Sequence, residues 1–198
     1  TAMSVMEQLF NKYGCEKIWH SYSDLYEADF APIRNNKLNI LEVGTFRGES
    51  INVWLEYFPN ATIYTIDTFG RVPPEDLEML QDPRVTYAKL DSTAPECNEH
   101  FKALGQQFDF IIDDGLHTPE AQRKTFENLI EFTNTYYVED VWNLDKVKMN
   151  HPWIKSHADD FTLEKWNGLL DSVNSYKVTH HDWISKKKQD SYILKVVK

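Results

Sequence analysis

The chain has 198 residues, 41% of them hydrophobic and 14% aromatic, and a formal charge of −10. That length suits one good core and is short for two ordinary domains, so residues 1–198 are expected to form a single domain. No apolar run approaches the roughly twenty residues of a bilayer span, which excludes a helical membrane partner, and the acidic balance excludes nucleic acid, because counterion release needs clustered Lys and Arg. The one basic run, Lys186-Lys187-Lys188, reads as a solvated turn. Cys15 and Cys97 are the only cysteines, too few for a disulfide framework or a thiolate metal site, and they suit a reducing, cytoplasmic setting. The start lacks the layout of a signal peptide, and Thr1-Ala2 ahead of Met3 reads as a remnant of expression.

Residues 3–36 read as an N-terminal helical cap and residues 37–198 as an α/β core. Met6, Leu9 and Phe10, then Ile18, Trp19, Tyr22, Leu25 and Tyr26, predict two helices separated near Gly14. Because they precede the first strand, they are expected over one end of the sheet, either as plain core cover or as a lid. Leu38, Ile40, Leu41 and Val43, closed by Gly44, have the look of a buried parallel strand. Ile51, Trp54, Leu55 and Phe58 then recur at helical spacing until Pro59-Asn60. The intervening Gly44-Thr45-Phe46-Arg47-Gly48 permits close backbone approach to a nucleotide-type ligand, but an ordinary strand-to-helix turn would use the same two glycines. A second β-rich run, residues 61–67, ends in Asp67 about twenty residues past the glycines, where a carboxylate can accept both hydroxyls of a ribose.

Residues 68–74 read as loop, 75–80 as a short helix, and 85–90 as a third strand leading to Asp91-Ser92. Phe101 and Leu104 mark another helix, and residues 108–114 a fourth strand. Thr118 is expected to cap a helix that has Pro119 at its first position and Phe126, Leu129 and Ile130 facing inward. Residues 136–139 form a fifth strand, and this alternation implies right-handed crossovers in a doubly wound parallel sheet. Residues 143–160 have no regular pattern, and 161–173 return to helical spacing. Residues 176–183 and 190–197 predict an antiparallel hairpin at the C-terminus. Nicotinamide-binding Rossmann domains usually continue in parallel strands instead.

Several short stretches, taken together, carry a resemblance: Tyr13-Gly14 with Lys17, His20-Ser21-Tyr22, Leu41-Glu42-Val43-Gly44 through Gly48-Glu49-Ser50, Asp113-Asp114-Gly115-Leu116-His117, and Glu139-Asp140. They resemble the class I S-adenosylmethionine-dependent methyltransferases, and within them the metal-dependent sugar O-methyltransferases that act on macrolide antibiotics and their cephalosporin-biosynthesis relatives. The likeness covers roughly residues 13–142. It implies a seven-stranded Rossmann-like sheet and binding of S-adenosyl-L-methionine by Glu42, Gly44, Gly48, Ser50, Asp67, Asp91 and Asp113. It further implies Asp114, Glu139 and Asp140 as metal ligands, His117 as the base, and a hydroxyl of a sugar or other small-molecule diol as acceptor, with homo-oligomerisation left open. The chain departs from the pattern at Cys15-Glu16, where relatives have Thr-Asp, and at Thr133-Asn134-Thr135, where they have a Gly-Gly turn.

The residues support a metal centre on their own account. Strands four and five should be neighbours, so their terminal acids meet where open α/β sheets place ligands, and three carboxylates there would repel without a cation. Oxygen ligands without a thiolate suit Mg²⁺, or Mn²⁺ by similar geometry. Consecutive Glu139 and Asp140 point to opposite faces of a continuing strand, so the chain has to leave extended geometry there. The alternative for Asp113 and Asp114 is a strand-end Asx turn before Gly115, and His117 draws its meaning from lying three residues after Asp114. Two rivals stand beside methyl transfer, namely an NAD(P)-dependent oxidoreductase and a catalytically silent binding protein of the same fold.

Overall fold

The computed structural model describes residues 2–198. Seven strands form one sheet: β1 (Asn39–Val43), β2 (Thr62–Asp67), β3 (Val85–Lys89), β4 (Phe110–Asp113), β5 (Thr135–Val138), β6 (Lys177–Asp182) and β7 (Tyr192–Val197). Their spatial order is β3-β2-β1-β4-β5-β7-β6. The first five pair in parallel, and β7 inserts antiparallel between β5 and β6. The strand order reverses between β1 and β4, which opens a crevice at the carboxyl ends of those strands.

Strand alternation divides the core in two. Ile40, Ile63, Phe110, Ile112 and Tyr137 face one side, where α1 (Val5–Lys12), α2 (Tyr22–Phe30) and α3 (Glu49–Tyr57) cover them. Leu41, Tyr64, Ile66, Ile111, Tyr136 and Val138 face the other, under α4 (Pro95–Leu104), α5 (Pro119–Leu129) and α7 (Leu163–Val173). The N-terminal helices therefore form part of a face layer, and the expectation that they sit over one end of the sheet is corrected. Phe30 stacks on Phe110 at 4.3 Å, and Tyr26 meets Trp54 and Tyr137 edge-on. Aromatic side chains of this size carry much of a core's burial, and α2 supplies three of them in nine residues.

Four local expectations are also revised. The second N-terminal helix breaks at Ser21, whose φ of 66° separates a 3₁₀ turn, Glu16–His20, from α2, and Trp19 on that turn is exposed. The short helix expected at 75–80 is a pair of 3₁₀ turns, Pro74–Asp76 and Glu78–Gln81. Thr118 stands at the start of α5 without a capping hydrogen bond, and Pro119, which has no N–H to satisfy, occupies the first turn. Within the unpatterned stretch 143–160 lies α6 (Pro152–Ser156), seated on a small cluster of Trp142, Val147, Ile154 and Phe161. Among the described residues no helix is long and apolar enough to cross a membrane.

Gly44, immediately after β1, is fixed by close approach rather than by flexibility. Its φ is +92°, and a Cβ there would lie 2.1 Å from the backbone oxygen of Asp114. Neither the strand end nor β4 can retreat without breaking the parallel pairing. Gly44→Ala is expected to destabilise the protein by roughly 1–3 kcal/mol, the scale of overpacking plus left-handed strain. A urea midpoint equal to that of the parent protein would show that the two strand ends can separate.

Candidate active site

A cavity of about 640 Å³ opens along the carboxyl ends of β1, β2, β4 and β5. One half is built by the loop after β1, where Gly44, Thr45 and Phe46 line the wall together with Asp67 and Asp91. Asp67 organises this half. Its Oδ2 accepts from the Thr45 and Phe46 N–H groups at 2.8 and 3.0 Å, and its Oδ1 from Phe69 N–H at 2.8 Å. Oδ1, with one acceptance, retains acceptor capacity toward a ligand in the cavity. Phe46, at a φ of 46°, carries the guanidinium groups of Arg47 and Arg71 over its ring at 4.8 and 5.6 Å. Asp91 also lines the wall and closes an Asx turn on Thr93 N–H at 2.9 Å.

Three residues expected at the cofactor lie elsewhere or act indirectly. Glu42 is wholly buried beneath the cavity, accepting from Ser50 Oγ and from Trp54 Nε1 at 3.1 Å. Gly48 precedes α3 at a left-handed φ of 78°, which favours glycine, and a Cβ there would displace the flexible end of Met79, so this glycine serves the turn into the helix. Asp113 faces the opposite side of β4 from the acid cluster described below, accepts from Gly115 N–H at 2.9 Å, and has its carboxyl pushed up to about 7 by burial. It is not part of the cavity wall. Alternation along the strand separates Asp113 from Asp114. Ser50 does reach the wall.

The second half of the cavity is an acid cluster built from β4, β5 and the N-terminal segment. Asp140 follows the end of β5 with a φ of 55°, so the chain leaves extended geometry at the position where two consecutive acids need it to. Tyr22 fixes that turn, since its hydroxyl donates to Asp140 Oδ1 at 2.6 Å and accepts from Asp140 N–H at 3.0 Å. Asp140 Oδ2 lies 3.0 Å from His117 Nε2, and Asp114 Oδ1 lies 3.2 Å from the same nitrogen. Burial would lower the His117 pKa, but Asp140 and Asp114 outweigh it and hold the imidazole well above the ordinary histidine value. Asp140 is held well below the usual carboxylate range, because His117, His20 and Tyr22 outweigh the cost of burying it. Trp153 of α6 donates Nε1–H to the His117 carbonyl at 3.0 Å and lines the same cavity.

Glu139 takes a different course. Lys17, from the 3₁₀ turn between α1 and α2, places Nζ 2.7 Å from Glu139 Oε1, 3.0 Å from Asp114 Oδ2 and 3.0 Å from Glu42 Oε2. Tyr26 donates to the other Glu139 oxygen. Burial alone would lower the Lys17 pKa, yet the three carboxylates raise it well above that of a free lysine.

The donor chemistry suits a divalent cation at part of the expected set. One ligand atom each from Asp114, His117 and Asp140 lies within 4.8 Å of the others, and Mg²⁺ is commonly held by one or two carboxylates with water completing its shell. Asp114 and Asp140 fit such an ion. Glu139 lies outside that group, engaged with Lys17 and Tyr26. His20, whose Nε2 is 3.6 Å from Asp140 Oδ1, and Asp190 extend the cluster inward. Lys17, His20 and Tyr22 belong to short stretches already conspicuous in the sequence, although nothing there assigns them a task. Tyr26, Trp153 and Asp190 have no such signal.

No protein-family model matches the chain. Over its full length the structure is similar to the MycE methyltransferase of the mycinamycin biosynthetic pathway, solved with Mg and SAH, at a TM-score of 0.70 and 20% identity, covering 100% of this chain and 55% of that one. The fold is that of the class I methyltransferases. A putative caffeoyl-CoA O-methyltransferase from Staphylococcus aureus is similar at a TM-score of 0.56 and 15% identity, covering 98% of each chain. Among curated proteins, demethylmacrocin O-methyltransferase of Streptomyces fradiae is 29% identical over 133 residues, 62% of this chain and 32% of that protein. A tetracenomycin rhamnosyl 3'-O-methyltransferase of Streptomyces olivaceus is 28% identical over 173 residues, 75% of this chain and 42% of that protein. The chain thus spans less than half the length of these curated relatives.

Proposed function

We propose that the chain is an S-adenosylmethionine-dependent, Mg²⁺-assisted O-methyltransferase acting on a hydroxyl of a sugar or other small molecule. The observation that carries this reading is the single cavity in which the Asp67-braced loop faces the Asp114, His117 and Asp140 cluster. Similarity to sugar O-methyltransferases supports the same acceptor class. When bound, the donor supplies an activated methyl group and the cation supplies Lewis acidity at the acceptor hydroxyl. Asp67 holds the Thr45-Phe46 backbone in place and offers the remaining lone pair of Oδ1 to the ribose. Asp114 and Asp140 are the protein ligands of the cation, and Glu139 joins them only if it leaves Lys17. His117 Nε2, directed at both acids, takes the proton of a hydroxyl held between them. Asp140 and the Trp153 bond keep the imidazole at that point, so the protein's share of the work is orientation and proton transfer.

Calorimetry with S-adenosylmethionine and with NADH, each with and without Mg²⁺, separates the readings. Binding of the sulfonium compound alone supports transfer, preference for NADH supports an oxidoreductase, and no binding of either supports a silent relative. A further expected result is that Asp67→Ala weakens S-adenosylmethionine binding by roughly 1–3 kcal/mol, the scale of losing charge-assisted hydrogen bonds. Unchanged affinity would remove Asp67 from the donor site and leave it a loop brace.

A further inference from the structure

Lys17 carries its ammonium into the acid cluster. It is 3% exposed, and its Nζ stands among one oxygen each of Glu42, Asp114 and Glu139, at 2.7–3.0 Å. Three carboxylates and one ammonium leave a local charge of −2 if all are ionised. The Tyr26 hydroxyl donates to the second oxygen of Glu139, and Lys17 holds the first, the one on the Asp114 side. Asp114 is shared, with Oδ2 toward Lys17 and Oδ1 toward His117.

Building on the proposed cation site at Asp114 and Asp140, we infer that Lys17 is a built-in cation of this cluster that withholds Glu139 from a divalent ion and sets how weakly the site holds one. It acts by position and charge, reaching in from the N-terminal segment. Two consequences follow from electrostatics. Removing the ammonium frees Glu139 Oε1 and leaves one more uncompensated negative charge beside the ion, and like charges held together in a poorly solvated place attract a divalent cation strongly. The N-terminal turn that carries Lys17 is thereby coupled to the state of the acid cluster.

The test uses Mn²⁺ as the probe, with the intact chain, read by calorimetry and by the paramagnetic resonance signal of bound Mn²⁺. Lys17→Met, which keeps the stem and removes the charge, is expected to bind Mn²⁺ at least about tenfold more tightly than the parent chain. In Lys17→Met/Glu42→Gln one positive and one negative charge leave together, and affinity is expected to return to within about threefold of the parent value. A role confined to packing would not be restored by that second change. Equal or weaker Mn²⁺ binding in Lys17→Met, with the parent chain still binding, overturns the inference and leaves the cation site intact. Tight binding in Lys17→Met beside none in the parent chain supports the inference and overturns the resident cation instead. If Lys17→Met does not fold, the double variant decides: parent-like affinity supports charge balance, and a loss beyond about tenfold overturns it.

Discussion

Replacement of His117 by alanine is expected to lower the turnover number by roughly 10²–10⁴-fold while affinities for S-adenosylmethionine and Mg²⁺ stay within a few-fold. The imidazole lies within hydrogen-bonding distance of both proposed cation ligands, at 3.0 and 3.2 Å, so it reaches whatever hydroxyl those acids hold. Turnover in the variant should recover partly as pH rises, since hydroxide can then remove the proton. In the parent protein His117 has to be neutral to act; Asp140 and Asp114 hold its pKa well above the ordinary value in the cation-free chain, and a cation bound to those acids offsets that effect. The same shift fixes the sign for stability without a cation. A raised histidine contributes stability that is complete below its unfolded pKa of about 6.5 and is lost as pH rises through the folded value. Although 29% of the side chain is exposed, urea midpoints of chelator-treated protein should fall over that window, and those of His117→Ala should fall less. If the variant loses Mg²⁺ binding altogether, His117 is a ligand and the proton goes elsewhere.

Excess EDTA is expected to abolish methyl transfer, and Asp140→Asn to weaken Mn²⁺ binding by at least about tenfold, the lower end of what even indirect metal contacts cost. Asparagine is the appropriate replacement because it tolerates the φ of 55° at this position, so the effect reports lost charge rather than a broken turn. Asp140→Asn also removes the group that most strongly holds a proton on His117 in the cation-free chain, so the fall of the urea midpoint with pH in chelator-treated protein should shrink with it. Full transfer in excess EDTA would remove the cation and leave Asp114 and Asp140 as the groups that orient His117.

Both results depend on residues that the sequence placed in one region without fixing what each touches. The strand and helix order was legible because period-2 and period-3.6 patterns act locally, and Pro119, Gly44 and the terminal hairpin punctuate them clearly. The break at Ser21 leaves no mark in the pattern because aromatic spacing continues smoothly across it, and only the tertiary contacts on its two sides, Lys17 with Glu139 and Tyr22 with Asp140, define the turn.

The sequence by itself determined a doubly wound sheet with an antiparallel final strand, a glycine loop followed at the right distance by Asp67, and acids at the ends of β4 and β5. Those features follow from local periodicity, from turn chemistry and from the rule that neighbouring parallel strands present their carboxyl ends together. Only the tertiary structure decided how the acids divide. Asp113 falls on the far face of β4, Asp140 turns through a left-handed residue toward His117, and Glu139 faces the helix layer where Lys17 and Tyr26 meet it. Lys17 is 122 residues from Glu139 in the chain, and no local pattern predicts a contact of that range. It forms because α1 and α2 pack on one face of the sheet and carry the turn between them to the ends of its strands.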